Sequence, residues 1–172
     1  MNKSFFSILI VLFLTACASS GGTGPQYQYQ DKVVIENAEP FDVAIGVFDP
    51  GLVDDASTYG EGGVWPELRR AESMYMAVQL RDTLADSENY GAVRVTPDLS
   101  SSADIYVKAT IVDSNGEDVR LKVTVSDSTG KVWIRNKTYS HRVQDITFSN
   151  PRNKDENDQL KVDPYEPIYQ KI

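Results

Sequence analysis

The sequence predicts an α+β domain in which a mixed sheet, with an antiparallel meander in its C-terminal half, packs against one main helix. The helix is indicated by about 25 residues after Pro66 that contain no breaker until Gly91. The meander is indicated by segments 104–112 and 118–126, in which apolar and polar residues alternate with the period of a strand. Between these two segments, Asn115-Gly116 is a strong hairpin signal.

The chain before the helix predicts two strands and a long loop. Segments 33–35 and 41–48 are rich in β-branched residues and are bounded by turn-forming residues, which is typical of strands. Segment 49–63 is rich in glycine and aspartate. We therefore expect an exposed loop between the second strand and the helix.

The main helix carries Pro66 in its first turn, and its apolar side chains cover more than a single stripe. We therefore expect it to be buried along most of its circumference against the sheet. The apolar positions are Leu68, Ala71, Met74, Tyr75, Ala77, Val78, Leu80, Leu84 and Ala85, and a narrow polar face consists of Glu72, Gln79, Asp82 and Thr83.

The second half of the chain predicts a short strand at 92–96 followed by the meander. Segments 104–112 and 118–126 each place apolar residues on one face and polar residues on the other. Both residues of Asn115-Gly116 tolerate the positive φ that a tight hairpin turn requires. A turn at 127–130 leads into the third strand, and the apolar face of the meander is the surface on which the helix can lie.

The C-terminal part, 149–172, predicts a polar loop and then the start of a helix. Asp163 is suited to cap that helix, and Pro164 to occupy its first position. An isolated helix of about two turns is marginal in water. Either these residues dock onto the domain or the chain is a piece of a longer protein, and the abrupt end favours the second interpretation. The apolar residues on one face of this helix are Tyr165, Ile168, Tyr169 and Ile172.

Residues 1–16 predict a secretory signal peptide. Lys3 gives a positive start, segment 5–14 an apolar core and Thr15-Ala16 a small-residue end. The apolar core is too short to span a bilayer, which takes about 20 residues. A processed export signal is therefore favoured over a membrane-spanning helix.

Leu14-Thr15-Ala16-Cys17 resembles the box at which bacterial lipoproteins are processed. The resemblance implies cleavage before Cys17, which becomes the lipidated first residue of the mature chain. In Gram-negative lipoproteins an aspartate after the cysteine retains the protein in the inner membrane, and Ala18-Ser19 lacks it. We therefore expect an anchor in the outer membrane, facing the periplasm; the alternative is an ordinary cleavage site with an unrelated cysteine.

Residues 17–32 predict the lipidated N terminus and a flexible tether. This segment is rich in glycine, serine and glutamine and has few residues that can fill a core. A flexible segment of this length has a typical end-to-end distance of about 20 Å. The folded domain, which we place at 33–148, is therefore held near its membrane.

Charge and cysteine content limit the partners. Aspartate and glutamate number 25 against 17 lysines and arginines, and the formal net charge is −8. Nucleic acid and anionic lipid headgroups attract basic surfaces, so neither is an expected partner. With a single cysteine, the core has no internal disulfide.

The sequence lacks a recognisable catalytic pattern. His141 is the only histidine, which excludes a histidine-rich metal site and a second imidazole base. Beside Arg142 at the end of a strand, it is expected to be a surface residue. The serines lack the G-x-S-x-G pattern of a nucleophile elbow, and the glycine runs at 21–24 and 60–63 lack the lysine of a phosphate loop.

Four acidic residues of the long loop could gather around a cation, but they lack the spacing and the closing glutamate of a calcium loop. These residues are Asp49, Asp54, Asp55 and Glu61. We expect no bound metal, no cofactor and no enzymatic activity.

The candidates for partner binding lie on the main helix and just before it. Arg70 and Arg81 are eleven residues apart, which is three turns, and therefore project from the same side of the helix. They either run along the sheet margin to meet carboxylates or form a cationic strip for an acidic partner. Tyr59 and Trp65 are possible exposed aromatic anchors, although Trp65 could equally be a plug that seats the helix.

The order of strand, helix, strand and meander over 41–140, with the phrases SADIYVKATI and DSTGKVW, resembles a family of envelope lipoprotein domains. This family includes the amino-terminal domain of the Tol system's translocation protein (TolB), the curli secretion lipoprotein and the outer-membrane activators of penicillin-binding proteins. The segment RRAESMYMAVQLRDTL with GAVRV is also similar to proteobacterial lipoproteins of unassigned function. The tether is shorter than those of the penicillin-binding-protein activators, which weakens an activator role.

An anchor, a short tether and a small domain without a catalytic pattern favour a non-catalytic adaptor or assembly factor that binds another envelope protein. The alternative is a structural or secretion component that forms homo-oligomers through exposed strand edges. The resemblance to the curli secretion lipoprotein implies this alternative.

We expect Cys17→Ser to abolish both palmitate incorporation and retention in the membrane fraction, because serine offers no thiol for lipidation. Metabolic labelling and partition into a detergent phase measure the two effects. Ser19→Ala is the control and should stay acylated. Unchanged partition of the Cys17→Ser chain would contradict the lipoprotein prediction.

Overall fold

The computed structural model describes residues 38–53, 59, 64–144, 154–160 and 163–172. Within them the chain forms five strands and two helices. In chain order these are β1 (Val43–Gly46), α1 (Pro66–Asp86), β2 (Val93–Thr96), β3 (Ile105–Ser114), β4 (Asp118–Asp127), β5 (Val132–Arg142) and α2 (Glu166–Tyr169).

All five strands belong to one mixed sheet with the order β2-β1-β3-β4-β5. β1 pairs in parallel with both β2 and β3, whereas β3, β4 and β5 pair antiparallel. The link from β1 to β2 runs through α1, as a parallel pair requires a crossover connection. The predicted α+β fold, with a mixed sheet, a C-terminal antiparallel meander and one main helix, is confirmed.

β1 lies inside the sheet, and all four of its residues are buried. A strand with parallel neighbours is usually covered on both faces, which explains the continuous apolar sequence. At Gly46, an added Cβ would lie 3.2 Å from the side chain of Leu99, so this residue packs closely on the face away from α1.

The meander strands alternate as the sequence predicts, with buried and exposed residues in turn along β3 and β4. The hairpin turn lies at Asn115-Gly116, as predicted, but only one of these two residues uses its tolerance of a positive φ. Only Gly116 has a positive φ, of 92°. Asn115 contributes its side chain instead, because its Oδ1 accepts hydrogen bonds from the amides of Glu117 and Asp118.

α1 packs one face on the sheet, with Met76, Ala77 and Leu80 fully buried. The prediction that the helix is buried along most of its circumference is wrong. Leu68, Met74 and Tyr75 lie on the opposite side and are about half exposed. The reason is architectural: α1 forms the outer layer of a two-layer structure, so only the side that faces the sheet is covered.

The described part of the C-terminal segment docks onto the domain. Tyr165, Ile168 and Tyr169 are buried in the main core, where α2 contacts both α1 and β5. The helix begins at Glu166, later than predicted, because the Asp163 carboxylate accepts a hydrogen bond from the Tyr165 amide within a turn instead of capping the helix. The expectation that these residues dock onto the domain is therefore confirmed for the described part of the segment.

Several sequence predictions lie outside the described residues. They are the signal peptide, Cys17, the tether, the strand at 33–35 and three of the four acidic loop residues, Asp54, Asp55 and Glu61. Among the described residues, no helix has the length and apolar character needed to cross a membrane.

Ile168→Ala should lower the free energy of unfolding by about 2–5 kcal/mol, because it leaves a cavity at a fully buried site. Urea unfolding measures the effect. The control is Val112→Ala on the outer face of the sheet, where the side chain is 46% exposed and the loss should stay within about 1 kcal/mol. Equal effects of the two substitutions would show that the C-terminal segment is not part of the core.

Candidate functional site

The most conspicuous surface of the described residues is the side of α1 that faces away from the sheet. Trp65 is 71% exposed, Leu68 55%, Met74 49% and Tyr75 47%. Ala71, which is exposed, and Val78, which is partly exposed, continue the same side of the helix. We call these six residues the outer helix face.

A buried arginine, Arg69, lies on the side of α1 opposite to the outer helix face. Arg69 is 5% exposed. Its Nη2 donates to the carbonyl oxygen of Ser114 at 3.0 Å, and its Nε lies 3.3 Å from the Glu72 carboxylate. The Ser114 hydroxyl donates to the same carboxylate at 2.8 Å, so every member of the group has a partner. These bonds join the first turns of α1 to the end of β3.

Arg69 is not distinguished by the sequence pattern, which points instead to its neighbour Arg70. Arg70 is exposed, and its Nη1 lies 2.6 Å from Oε1 of Glu67, one turn earlier. Arg81 is partly exposed, and its Nη2 lies 2.6 Å from Oδ1 of Asp82. Both arginines therefore meet carboxylates of their own helix and form a mixed-charge border along the outer helix face.

The two aromatic candidates lie close together where α1 begins. The Val64 amide donates to the Tyr59 carbonyl oxygen at 3.0 Å, which brings Tyr59 next to the residue before Trp65. The Tyr59 hydroxyl donates to the carbonyl oxygen of Val53, so its polar end is engaged within the loop. Trp65 stands exposed at the N-cap of α1. Its position suits an anchor on the surface better than a plug beneath the helix.

His141 lies at the end of β5, beside the C-terminal segment, and is partly buried. Burial and the nearby charge of Lys171 lower its pKa below the ordinary value. The groove of about 480 Å³ next to it also contains Asp113 and Asp118. Arginines neutralise both carboxylates, with Arg120 at 2.9 Å from Asp113 and Arg142 Nε at 2.7 Å from Asp118. Among the described residues, no group of three or more His, Cys, Asp or Glu side chains is placed to hold a metal ion.

Asp163 is a partly buried carboxyl group at the junction of α1 with the C-terminal segment. Burial raises its pKa above the ordinary value, although the Tyr165 amide and the hydroxyls of Tyr75 and Tyr169 act in the opposite direction, as does His141. Burial also raises the pKa of Tyr169. This group is therefore a polar contact inside the docking interface of the C-terminal segment.

A small apolar cleft of about 140 Å³ lies between the C-terminal half of α1 and the sheet. Trp133 is half exposed at its edge and donates from Nε1 to the Asp127 carboxylate at 3.0 Å. The lining residues are Val43, Leu80, Leu84, Tyr90, Ile105, Val107, Val125, Trp133, Ile134 and Ile172. Its walls bring together the helix, the sheet and the C-terminal segment.

No protein-family model, no curated protein and no solved structure matches this chain. The resemblance to the envelope lipoprotein domains therefore stays a prediction. The outer helix face is a candidate functional surface because of the exposure of its apolar side chains.

Asp163→Asn should become increasingly stabilising relative to the parent as the pH rises. A carboxyl group whose pKa is raised by folding contributes stability below its unfolded pKa of about 4 and loses that contribution as the pH rises through the folded pKa. The asparagine carries no charge to bury, and its Oδ1 can still accept from the Tyr165 amide.

Urea unfolding between about pH 3.5 and pH 8 measures this difference, and the same substitution at the exposed Asp86 controls for the general loss of an acidic residue. A difference that shrinks with rising pH would mean that the fold favours the charged form of Asp163.

Proposed function

We propose that this protein is a lipoprotein anchored through Cys17 in the outer membrane, where it acts as a non-catalytic adaptor or assembly factor for another envelope protein. The observation that carries the proposal is the outer helix face. α1 carries apolar side chains on more than one side, and within the described part of the chain nothing covers those of the outer helix face. Contiguous exposed apolar surface is typical of protein-interaction sites.

The composition of the outer helix face suits protein binding. Its centre is apolar and contains the aromatic residues that dominate binding energy in many interfaces, here Trp65 and Tyr75. Its border is charged but nearly neutral, because Arg70 and Arg81 each pair with a carboxylate. An apolar centre within a polar rim is the usual arrangement of a specific interface.

The proposed anchor determines where the partner is met. A tether of the length of segment 18–32 has a typical reach of about 20 Å, so the domain stays close to the membrane that holds Cys17. We therefore propose a partner that lies in or next to the outer membrane on its periplasmic side.

We propose a non-catalytic role because the chain has few side chains suited to acid–base catalysis. The chain has one histidine, His141, and its pKa is lowered by burial and by Lys171. Two carboxylates of the groove beside it, those of Asp113 and Asp118, are paired with arginines, and Asp163 lies in the docking interface of the C-terminal segment. Paired surface carboxylates are less suited to proton transfer than a carboxyl group held free in a pocket.

The alternative, an oligomeric structural or secretion component joined through strand edges, has less support. β2 is a four-residue edge strand followed by Pro97. β5, at the other edge, has a register irregularity near Asn136, whose φ is 47°, and carries Arg135 and Lys137 on either side of that residue. Short strands, irregular backbone and charged residues are the features that discourage edge-to-edge pairing.

Leu68→Asp and Met74→Asp should each reduce capture of the partner by about tenfold, because a charge replaces an apolar contact in the interface. A photoreactive residue at Tyr75 of the full chain, irradiated in intact cells, provides the readout, and mass spectrometry identifies the adduct.

The matched control is Val112→Asp, which places the same charge at a half-exposed site on the outer face of the sheet and should leave capture unchanged. Native melting temperatures for all three variants exclude unfolding as the cause. Equal adduct yields from Leu68→Asp and Val112→Asp would contradict the proposal, as would the absence of any adduct with another protein.

A further inference from the structure

The apolar residues of the outer helix face follow the spacing of a two-helix contact. Leu68, Ala71, Tyr75 and Val78 are separated by three, four and three residues, which is the alternation that keeps one seam against a second helix. All four lie on the side of α1 that is turned away from the sheet. The face is therefore shaped to receive a helix.

The flank of this seam is self-complementary in charge. Met74 lies at the middle of this flank. Glu67 precedes it by seven residues and Arg81 follows it by seven residues. If a second α1 lies antiparallel with a two-fold axis near Met74, Glu67 of each copy faces Arg81 of the other. Leu68 then meets Val78, and the small Ala71 meets the large Tyr75.

We propose that a second copy of this chain occupies the outer helix face in the free protein, in an antiparallel α1–α1 contact that the partner must displace. This inference rests on the proposed function, because it takes the outer helix face as the protein-binding surface. It adds the regulation of that surface.

The charges favour the antiparallel arrangement over the parallel one. In a parallel pair, Glu67 of one copy would lie beside Glu72 of the other and would gain no basic partner there, because Glu72 is bound to Arg69 of its own chain. In the antiparallel pair, both contacts on the flank of Glu67 and Arg81 join opposite charges, and Glu72 on the other flank stays bound to Arg69. The existing bonds of Glu67 to Arg70 and of Arg81 to Asp82 are at the exposed surface, where such pairs contribute little, so exchanging them costs little.

The size of the face suits a contact that can be displaced. The six residues of the outer helix face are fewer than the roughly 20–30 residues that each partner contributes to a standard stable interface. Such a dimer is weak in dilute solution. Anchoring both copies in one membrane raises their local concentration, which favours pairing without any additional contact.

The test places a cysteine at Met74 of the full chain and oxidises intact cells. Because Met74 lies on the two-fold axis, Met74→Cys should form a disulfide-linked dimer whose cross-linked peptide joins position 74 to itself. The controls are Val112→Cys, which is similarly exposed on the other side of the domain, and the parent chain, which reports any reaction of Cys17.

Charge reversal in the Met74→Cys chain tests the orientation. Glu67→Arg or Arg81→Glu alone should lower the dimer yield by about tenfold, since two attractive contacts become repulsive. The two reversals together should restore the yield, because the opposite charges meet again across the interface.

The inference is overturned if Met74→Cys gives no more dimer than Val112→Cys. It is also overturned if the two charge reversals together fail to restore the dimer yield. If Met74→Cys forms no dimer while the photoreactive residue at Tyr75 captures another protein, the inference fails and the adaptor proposal stands. If neither probe yields an adduct, both fail.

Discussion

The need to bury one guanidinium group is the constraint on which the arrangement of this domain depends. Arg69 can lie inside only where its charge and its N–H groups meet partners, and the Ser114 carbonyl oxygen and the Glu72 carboxylate supply them. These contacts hold the start of α1 against the end of β3. We infer that they select one rotation of a helix whose apolar residues would allow several.

The consequences of that rotation extend over the whole domain. It turns Met76 and Leu80 toward the sheet and leaves Leu68 and Met74 outside. It also places the side chain of Glu72 beside the C-terminal segment, where its charge influences Tyr165. The covered side of α1 stabilises the fold, and the uncovered side is the surface that we assign to binding.

The local elements could be predicted from the sequence, because alternation along β3 and β4 and an uninterrupted helix segment are local signals. The rotation of α1 could not, since apolar residues occur on both of its sides and only the distant Ser114 distinguishes them. The local sequence does not distinguish Arg69 from Arg70, and only tertiary contacts decide which arginine is buried and which is exposed. Docking of the C-terminal segment likewise depends on contacts between residues far apart in the chain.

Oxidation of the two helix methionines tests most directly the claim that a protein covers the outer helix face. Met74 and Met76 lie two residues apart, and Met74 is 49% exposed whereas Met76 is 0% exposed. Mass spectrometry would compare their oxidation rates in the dilute purified chain and in intact cells. Our account predicts that Met74 reacts much faster than Met76 in the purified chain and is protected in cells, where a protein covers the outer helix face. Equal rates for Met74 in both settings would contradict it, and fast oxidation of Met76 in the purified chain would contradict the assigned rotation of α1.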